Sequence, residues 1–160
     1  MQPYFPLFVN LNQKKILVYG AGTIAVRRIT GILRFGAYVS VVAPQIREEL
    51  WVLCKNYPEQ LVIEQRMYAY GEICRQNAHI VLAATNDKQV NRMICKECRQ
   101  KQIMVNNASD SRQCDFYFPA LVEQDGLVIG ITSTDADHKK VAAYSKGLRR
   151  QYGNDGQSNC

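Results

Sequence analysis

The chain has 160 residues, 47% of them apolar and 21% charged, with a formal net charge of +6. That describes one ordinary globular domain, long enough to bury a core and carry a small appendage. No apolar run approaches the ~18–20 residues that span a bilayer, and the start MQPYFPLFVNLNQKK lacks the basic region and cleavage site of a signal peptide, so mature protein with no membrane partner is expected.

Short β-rich runs alternate with helical stretches. Lys15 to Tyr19 (KILVY) reads as a strand. Thr23 to Phe35 reads as a helix, with Ile24, Ile29, Ile32 and Leu33 at helical spacing and Gly36 as its stop. Tyr38 to Val42 (YVSVV) is a second strand, ended by Pro44. Ile46 to Asn56 is helical and closes before Pro58. Leu61 to Glu64 is a short strand, Gly71 to Gln76 a short helix at most, and His79 to Ala83 a buried strand. Asp87 is placed to cap a helix running to about Gln102, with Val90, Met93, Ile94 and Cys98 facing inward. Ile103 to Asn107 is a fifth strand. Continuous apolar strands alternating with helices predict a parallel sheet covered on both faces.

The pattern changes after Asn107. Phe116 to Val122 and Leu127 to Thr132 are strand-like, and Glu123-Gln124-Asp125-Gly126 between them is a turn signal, which together predict a hairpin. Pro119 places an edge or bulge in its first strand. Lys139 to Tyr152 is a basic amphipathic helix, and the polar tail 153–160 is expected to be disordered. A lone hairpin is marginal in water. Its apolar face needs the main sheet or a second copy, and a homodimer through residues 116–150 is expected.

The six cysteines are Cys54, Cys74, Cys95, Cys98, Cys114 and Cys160. Without a secretory signal they read as reduced thiols in a cytoplasm. Cys95 and Cys98 have metal-ligand spacing, but a structural zinc needs four ligands, and only His79 and His138 add further histidine donors. They read as two thiols on one helix face, and no metal site is expected. The basic residues are scattered and the aromatics form no stacking motif, so nucleic acid is not an expected partner.

Gly20-Ala21-Gly22-x-x-Ala25 follows a strand and opens a helix, the context that a dinucleotide-binding turn requires. Gly20 permits the tight turn, Gly22 lets the backbone approach a pyrophosphate, and Ala25 lets helix and sheet pack closely. The helix start supplies N–H groups and positive dipole to the anion. Such sites place an acid for the adenosine ribose about 20 residues on. Here that place is Val42-Ala43-Pro44-Gln45, with neither a carboxylate nor an arginine. The spacing therefore predicts a dinucleotide held in a nonstandard way.

The stretches Tyr4-Phe5-Pro6-Leu7-Phe8, GAGTIAVRR, VSVVAP, LAATND with Val90-Asn91, VNNASD with CDFYFPA, and ITSTDADHKK come in a fixed order. In this set the chain resembles the precorrin-2 dehydrogenase and sirohydrochlorin ferrochelatase family, the N-terminal module of siroheme synthases. The match covers residues 4 to about 150. The proline at the second strand end, with no acid, belongs to the family pattern.

The resemblance implies an α/β fold, with a Rossmann-like doubly wound parallel sheet over 1–113 followed by a hairpin-plus-helix dimerisation segment over 114–152. It implies NAD-dependent oxidation of precorrin-2 to sirohydrochlorin, with Fe²⁺ as a substrate where the member is also a chelatase. It places NAD contacts at Gly20, Gly22, Thr23, Ile24, Ala43, Pro44, Gln45, Thr85 and Asn86; Thr85 and Asn86 also read as helix-capping residues. The family's acid/base is an aspartate after the fifth strand. Ungapped matching puts Ser109 at that place, with Asp110 next, so Asp110 takes the catalytic role from one position along. Asp110 also reads as an ordinary turn aspartate.

Ser109, Ser133 and His138 are implied near the substrate, and Thr134-Asp135 replaces the glycines usual after Ser133. Precorrin-2 carries eight carboxylates, which gives the positive net charge a partner and lets Lys139, Lys140, Lys146, Arg149 and Arg150 steer it. The chain ends soon after the last helix, without the helical domain of longer members. That implies a minimal enzyme, a shortened chain or a partner that completes the site. Other readings are chelation alone, a nucleotide-sensing module and a tetrapyrrole carrier. Sensor modules usually keep the acid after the second strand, which counts against them here.

Overall fold

The computed structural model describes residues 5–135 and 137–151; the tail expected to be disordered lies outside them. The chain divides into two units, residues 9–116 and residues 117 onward together with the N-terminal segment up to Phe8.

The larger unit is built on five parallel strands, β1 (Lys15–Tyr19), β2 (Tyr38–Val42), β3 (Leu61–Glu64), β4 (Ile80–Ala83) and β5 (Met104–Asn107), in the order β3-β2-β1-β4-β5. The order reverses at β1, and the crevice at such a switch point is where doubly wound sheets bind ligands. The sequence reading of the sheet is borne out, and three of its five strands have the expected bounds. Val18, Val41, Val81 and Leu82 are fully buried, as continuous apolar strands in a two-sided sheet must be.

Helices α1 (Thr23–Leu33), α2 (Glu48–Asn56) and α3 (Lys88–Gln100) connect the strands. Gly36, at φ +77°, follows the end of α1 in the left-handed region that glycine tolerates. Two expected inward positions are corrected. Ile24 is 45% exposed and Met93 is 42% exposed. The buried stripe of α1 is Ala25, Ile29, Ile32 and Leu33. That of α3 is Asn91, Ile94, Cys95 and Cys98, the i, i+3, i+4, i+7 set. Ile94 and Cys98 are buried as expected and Val90 packs against the core, while the polar Asn91 takes an inward position that the apolar pattern did not mark.

On the α3 face of the sheet, Leu17, Tyr19, Val81, Ala83 and Val105 pack against Ile73, Ile94, Cys95 and Cys98. Each large apolar side chain buried there contributes about 1.5–3 kcal/mol. The short helix expected over 71–76 is a single 3-10 turn, Ile73–Arg75. Glu97 of α3 holds it in place. Its buried carboxylate accepts hydrogen bonds from Ile73 N (2.8 Å), Gly71 N (3.1 Å), Cys74 N (3.3 Å) and the Tyr68 hydroxyl (2.7 Å).

The second unit holds the expected hairpin and helix. Strands β6 (Ala120–Gln124) and β7 (Leu127–Ile131) pair antiparallel. They are joined by Asp125-Gly126, at φ +47° and +80°, the turn that matches strand twist. β6 starts later than the expected Phe116, immediately after Pro119, which has no N–H to give to a ladder. Helix α4 (His138–Gln151) follows, with Asp137 accepting from Lys140 N at 2.9 Å and Arg149 donating to the Leu121 carbonyl at 2.8 Å.

Candidate functional site

The glycine turn sits between β1 and α1, at the switch point of the sheet. The two glycines have different reasons for being there. Gly20 has φ +107°, and a Cβ on it would collide with the Ala84 carbonyl of the β4–α3 loop. Its N–H donates to Val42 O at 2.9 Å. Gly20 thus lets three strand ends converge. Gly22 has φ −79°, ordinary for any residue, and a Cβ on it would meet nothing within 4 Å. The open space at Gly22 is what backbone approach by a ligand needs.

Gly22 is also the N-cap of α1. No side chain caps the helix and no acid lies in its first turn. Its leading N–H groups and positive dipole end are therefore left to a phosphate or water. Thr23 and Ile24 are exposed on that first turn, and Ala25 is fully buried beneath it. These residues fit a dinucleotide pyrophosphate. Beneath the turn, Tyr19 is buried and meets Tyr68 edge to face, with ring centroids 5.0 Å apart. Burial, followed by the nearby Glu72 carboxylate, pushes the Tyr19 phenol far above its ordinary pKa.

The end of β2 forms the second edge. Ala43 is buried and donates to Glu64 O at 3.2 Å. Pro44 and Gln45 are exposed, and the Pro44 carbonyl accepts from Gln65 Nε2 at 3.3 Å.

The β4–α3 loop forms the third edge. The cap of α3 is Asp87, whose Oδ1 accepts from Gln89 N (2.7 Å) and Val90 N (3.3 Å). Asn86 is exposed. Thr85 is tied to Asn91: Asn91 Oδ1 accepts from Thr85 N (3.1 Å) and Thr85 Oγ1 (2.8 Å), while Asn91 Nδ2 donates to Thr85 O (3.1 Å).

The loop after β5 carries Ser109 and Asp110. Ser109 donates through both N and Oγ to Asn107 Oδ1, at 2.9 and 2.7 Å, and its Oγ accepts from Asn91 Nδ2 at 3.1 Å. Asp110 accepts from Arg112 Nε at 2.9 Å and from Arg112 Nη2 at 3.0 Å, on separate oxygens. The guanidinium holds the Asp110 carboxyl below the usual carboxylate range. At neutral pH Asp110 is therefore a carboxylate.

The two asparagines ending β5 face opposite sides of the sheet. Asn106 accepts from the Arg28 guanidinium of α1 at 2.6 Å and donates to Phe116 O at 2.7 Å. Asn107 donates to Gln113 Oε1 at 3.1 Å. The roles of Asn91, Asn106, Asn107 and Arg112 were not read from the sequence. Paired asparagines at the end of a buried strand were the available signal, since a buried amide must find partners.

Ser133 and His138 belong to the second unit. Ser133 is half-buried and its hydroxyl bonds Asp135, lowering that carboxyl's pKa; His138 is exposed at the start of α4. Among the described residues no cluster of three or more metal-binding side chains is present, and no helix is long and apolar enough to cross a membrane. Cys95 and Cys98 are free, buried thiols. Burial pushes Cys98 up to about 12.

A parallel sheet with a tight glycine turn at its switch point, opening an uncapped helix, defines a dinucleotide-binding α/β domain. The chain belongs to the putative NAD(P)-binding family, whose model matches residues 7–120. It is 39% identical to the probable multifunctional siroheme biosynthesis protein HemA of Ruminiclostridium josui, over 91% of this chain and 28% of that protein. It is 35% identical to the siroheme synthase of Psychrobacter arcticus, over 81% of this chain and 23% of that protein. Among solved structures it resembles SirC, a precorrin-2 dehydrogenase, with a TM-score of 0.75 and 29% identity, over 93% of this chain and 71% of that one. The family resemblance read from the motifs is borne out. The chain spans about a quarter of the length of these curated relatives.

Proposed function

We propose that this chain is an NAD⁺-dependent precorrin-2 dehydrogenase that yields sirohydrochlorin. The observation that carries the reading is the pairing of an open, uncapped glycine turn with a carboxylate on the loop after β5. The likeness to SirC and to siroheme synthases supplies the substrate class.

NAD⁺ held at the turn would supply the acceptor for the hydride equivalent that leaves the tetrapyrrole. The N–H groups of the first turn of α1 hold its pyrophosphate, with Gly22 leaving room for it. Thr23, Ile24, Ala43, Pro44, Gln45, Thr85 and Asn86 line the cofactor's path across the strand ends. Asp110 accepts the proton released as the new double bond forms. Ser109 positions the loop that carries it. Ser133 and His138, with the basic side chains of α4, meet the substrate's carboxylates.

The proposed cofactor is NAD⁺, and the match to a putative NAD(P)-binding family supports a nicotinamide dinucleotide. As a second activity of the same site we propose Fe²⁺ insertion into sirohydrochlorin, with Fe²⁺ as substrate. In this reading the unit of residues 9–116 binds the nucleotide and the hairpin and helix that follow it form a homodimer. Leu127 and Val128 of β7 and Tyr144 of α4, all exposed, provide apolar surface for a second copy. Free thiols among the described residues suit a cytoplasmic protein.

The test is anaerobic incubation with precorrin-2 and NAD⁺, followed by absorption spectroscopy. Sirohydrochlorin and NADH appearing in equal amounts supports the reading. NAD⁺ binding without oxidation overturns it in favour of a sensing module. Faster Fe²⁺ insertion into supplied sirohydrochlorin without oxidation overturns it in favour of a chelatase.

A further inference from the structure

We propose that Asn91 is a positioning residue that couples the cofactor loop at Thr85-Asn86 to the acid-bearing loop at Ser109-Asp110. The inference rests on the dehydrogenase reading above and deepens it.

Asn91 is fully buried in the first turn of α3, at a position the apolar pattern would fill with a hydrophobic side chain. Its amide oxygen and both amide hydrogens are engaged. Oδ1 accepts from Thr85 N and shares the Thr85 hydroxyl hydrogen with the Asp87 carbonyl, and Nδ2 gives one hydrogen to Thr85 O and the other to Ser109 Oγ. These bonds fix the amide's orientation, because a flip would set its NH₂ against the Thr85 N–H. The chain of bonds continues from Ser109 Oγ to Asn107 Oδ1, and from Asn107 Nδ2 to Gln113. Asp110 lies on the backbone between Ser109 and Gln113.

The two loops share no strand ladder past Ala83 and Asn107, the last paired residues of β4 and β5. One further backbone bond runs from Ala108 N to Ala83 O at 2.9 Å. Beyond it, the Asn91 amide is the side-chain bridge between the loops. Leaving any group of a buried amide unpaired is costly, so moving one loop away from the other carries that cost. The hydride acceptor and the base would each have to be placed against the substrate, and misplacement of about 1 Å costs on the order of 100-fold in rate.

The test uses Asn91→Ala, Ser109→Ala and the double variant. Calorimetry gives the NAD⁺ dissociation constant, single-turnover spectroscopy gives the oxidation rate, and amide NMR reports NAD⁺-induced shifts at residues 108–112. In Ser109→Ala we expect NAD⁺ affinity within about twofold of the parent and an oxidation rate lowered about tenfold or more. In Asn91→Ala both fall, and the double variant is no slower than Asn91→Ala. The NAD⁺-induced shifts at Ser109 and Asp110 seen in the parent disappear in both single variants at saturating NAD⁺.

Multiplicative rate losses in the double variant overturn the proposal, as does a Ser109→Ala enzyme at the parent rate or shifts that persist in either variant. Where Asn91→Ala fails to fold, the NMR arm of Ser109→Ala decides, since that variant removes the hydroxyl that bridges Asn91 and Asn107. Where the parent binds NAD⁺ but does not oxidise precorrin-2, the dehydrogenase reading fails, and the NMR arm still decides whether Asn91 couples the loops.

Discussion

Arg112 grips both oxygens of Asp110, although Arg112 is 86% exposed and the Asp110 side chain only 19%. The aspartate is thereby held ionised and oriented. Its pKa is lowered chiefly by the Arg112 hydrogen bonds. The stability this pairing contributes is therefore present above the ordinary aspartate pKa of about 3.9 and is lost as pH falls through the lower folded value. Arg112→Gln should raise the Asp110 pKa toward that ordinary value. A carboxyl-carbon NMR titration checks it, and an unchanged midpoint would show that the pair is not formed in solution.

Gly20 and Gly22 should respond oppositely to alanine. Gly20→Ala forces φ +107° on an L-residue and drives a Cβ into the Ala84 carbonyl. It should destabilise the fold by about 2–4 kcal/mol, combining strain and overpacking. Gly22→Ala meets neither problem and should unfold at the parent denaturant concentration within about 0.5 kcal/mol, while losing NAD⁺ affinity. Chemical denaturation paired with NAD⁺ titration separates the two.

Glu97→Ala should cost about 3–5 kcal/mol, because it strips the partner from three backbone N–H groups and the Tyr68 hydroxyl in a largely buried site. Tyr68→Phe removes one of those bonds and should cost about 1–2 kcal/mol. Urea unfolding monitored by the fluorescence of Trp51, on α2, measures both. Equal costs would mean that the backbone donors find other partners.

The thiols should sort by burial. Cys98, pushed up to about 12, and the buried Cys95 should resist alkylation in the native protein at pH 8. Among the described cysteines Cys74 is exposed and should react first. Mass spectrometry after a short iodoacetamide pulse resolves the order.

Much of this architecture could be read from the chain itself, because strand periodicity and breakers act locally. Lys15 to Tyr19 and Tyr38 to Val42 announce themselves as buried strands, and Asp87 caps α3 where its side chain and the following pattern required. On α3 the expected inward residues Ile94 and Cys98 are buried and Val90 packs against the core, but Met93 is exposed, and Asn91 is drawn inside by hydrogen bonds from loops on either side of it. Such burial depends on partners up to 18 residues away, and no local pattern carries it. The Asp110–Arg112 pair is local, yet its two-residue spacing in a loop is too common to identify. At Gly20 and Gly22 the sequence pattern was the same kind of signal. Only the packing separates a glycine needed for close approach of two loops from one that leaves space for a ligand.

The central claim is that Asp110 does proton chemistry on a tetrapyrrole while the glycine turn holds NAD⁺. The most direct measurement compares the parent with Asp110→Asn in anaerobic oxidation of precorrin-2, with NAD⁺ affinity measured on the same samples. The account predicts that Asp110→Asn binds NAD⁺ within about twofold of the parent and oxidises precorrin-2 at least about 100-fold more slowly. Oxidation at the parent rate in Asp110→Asn would contradict it.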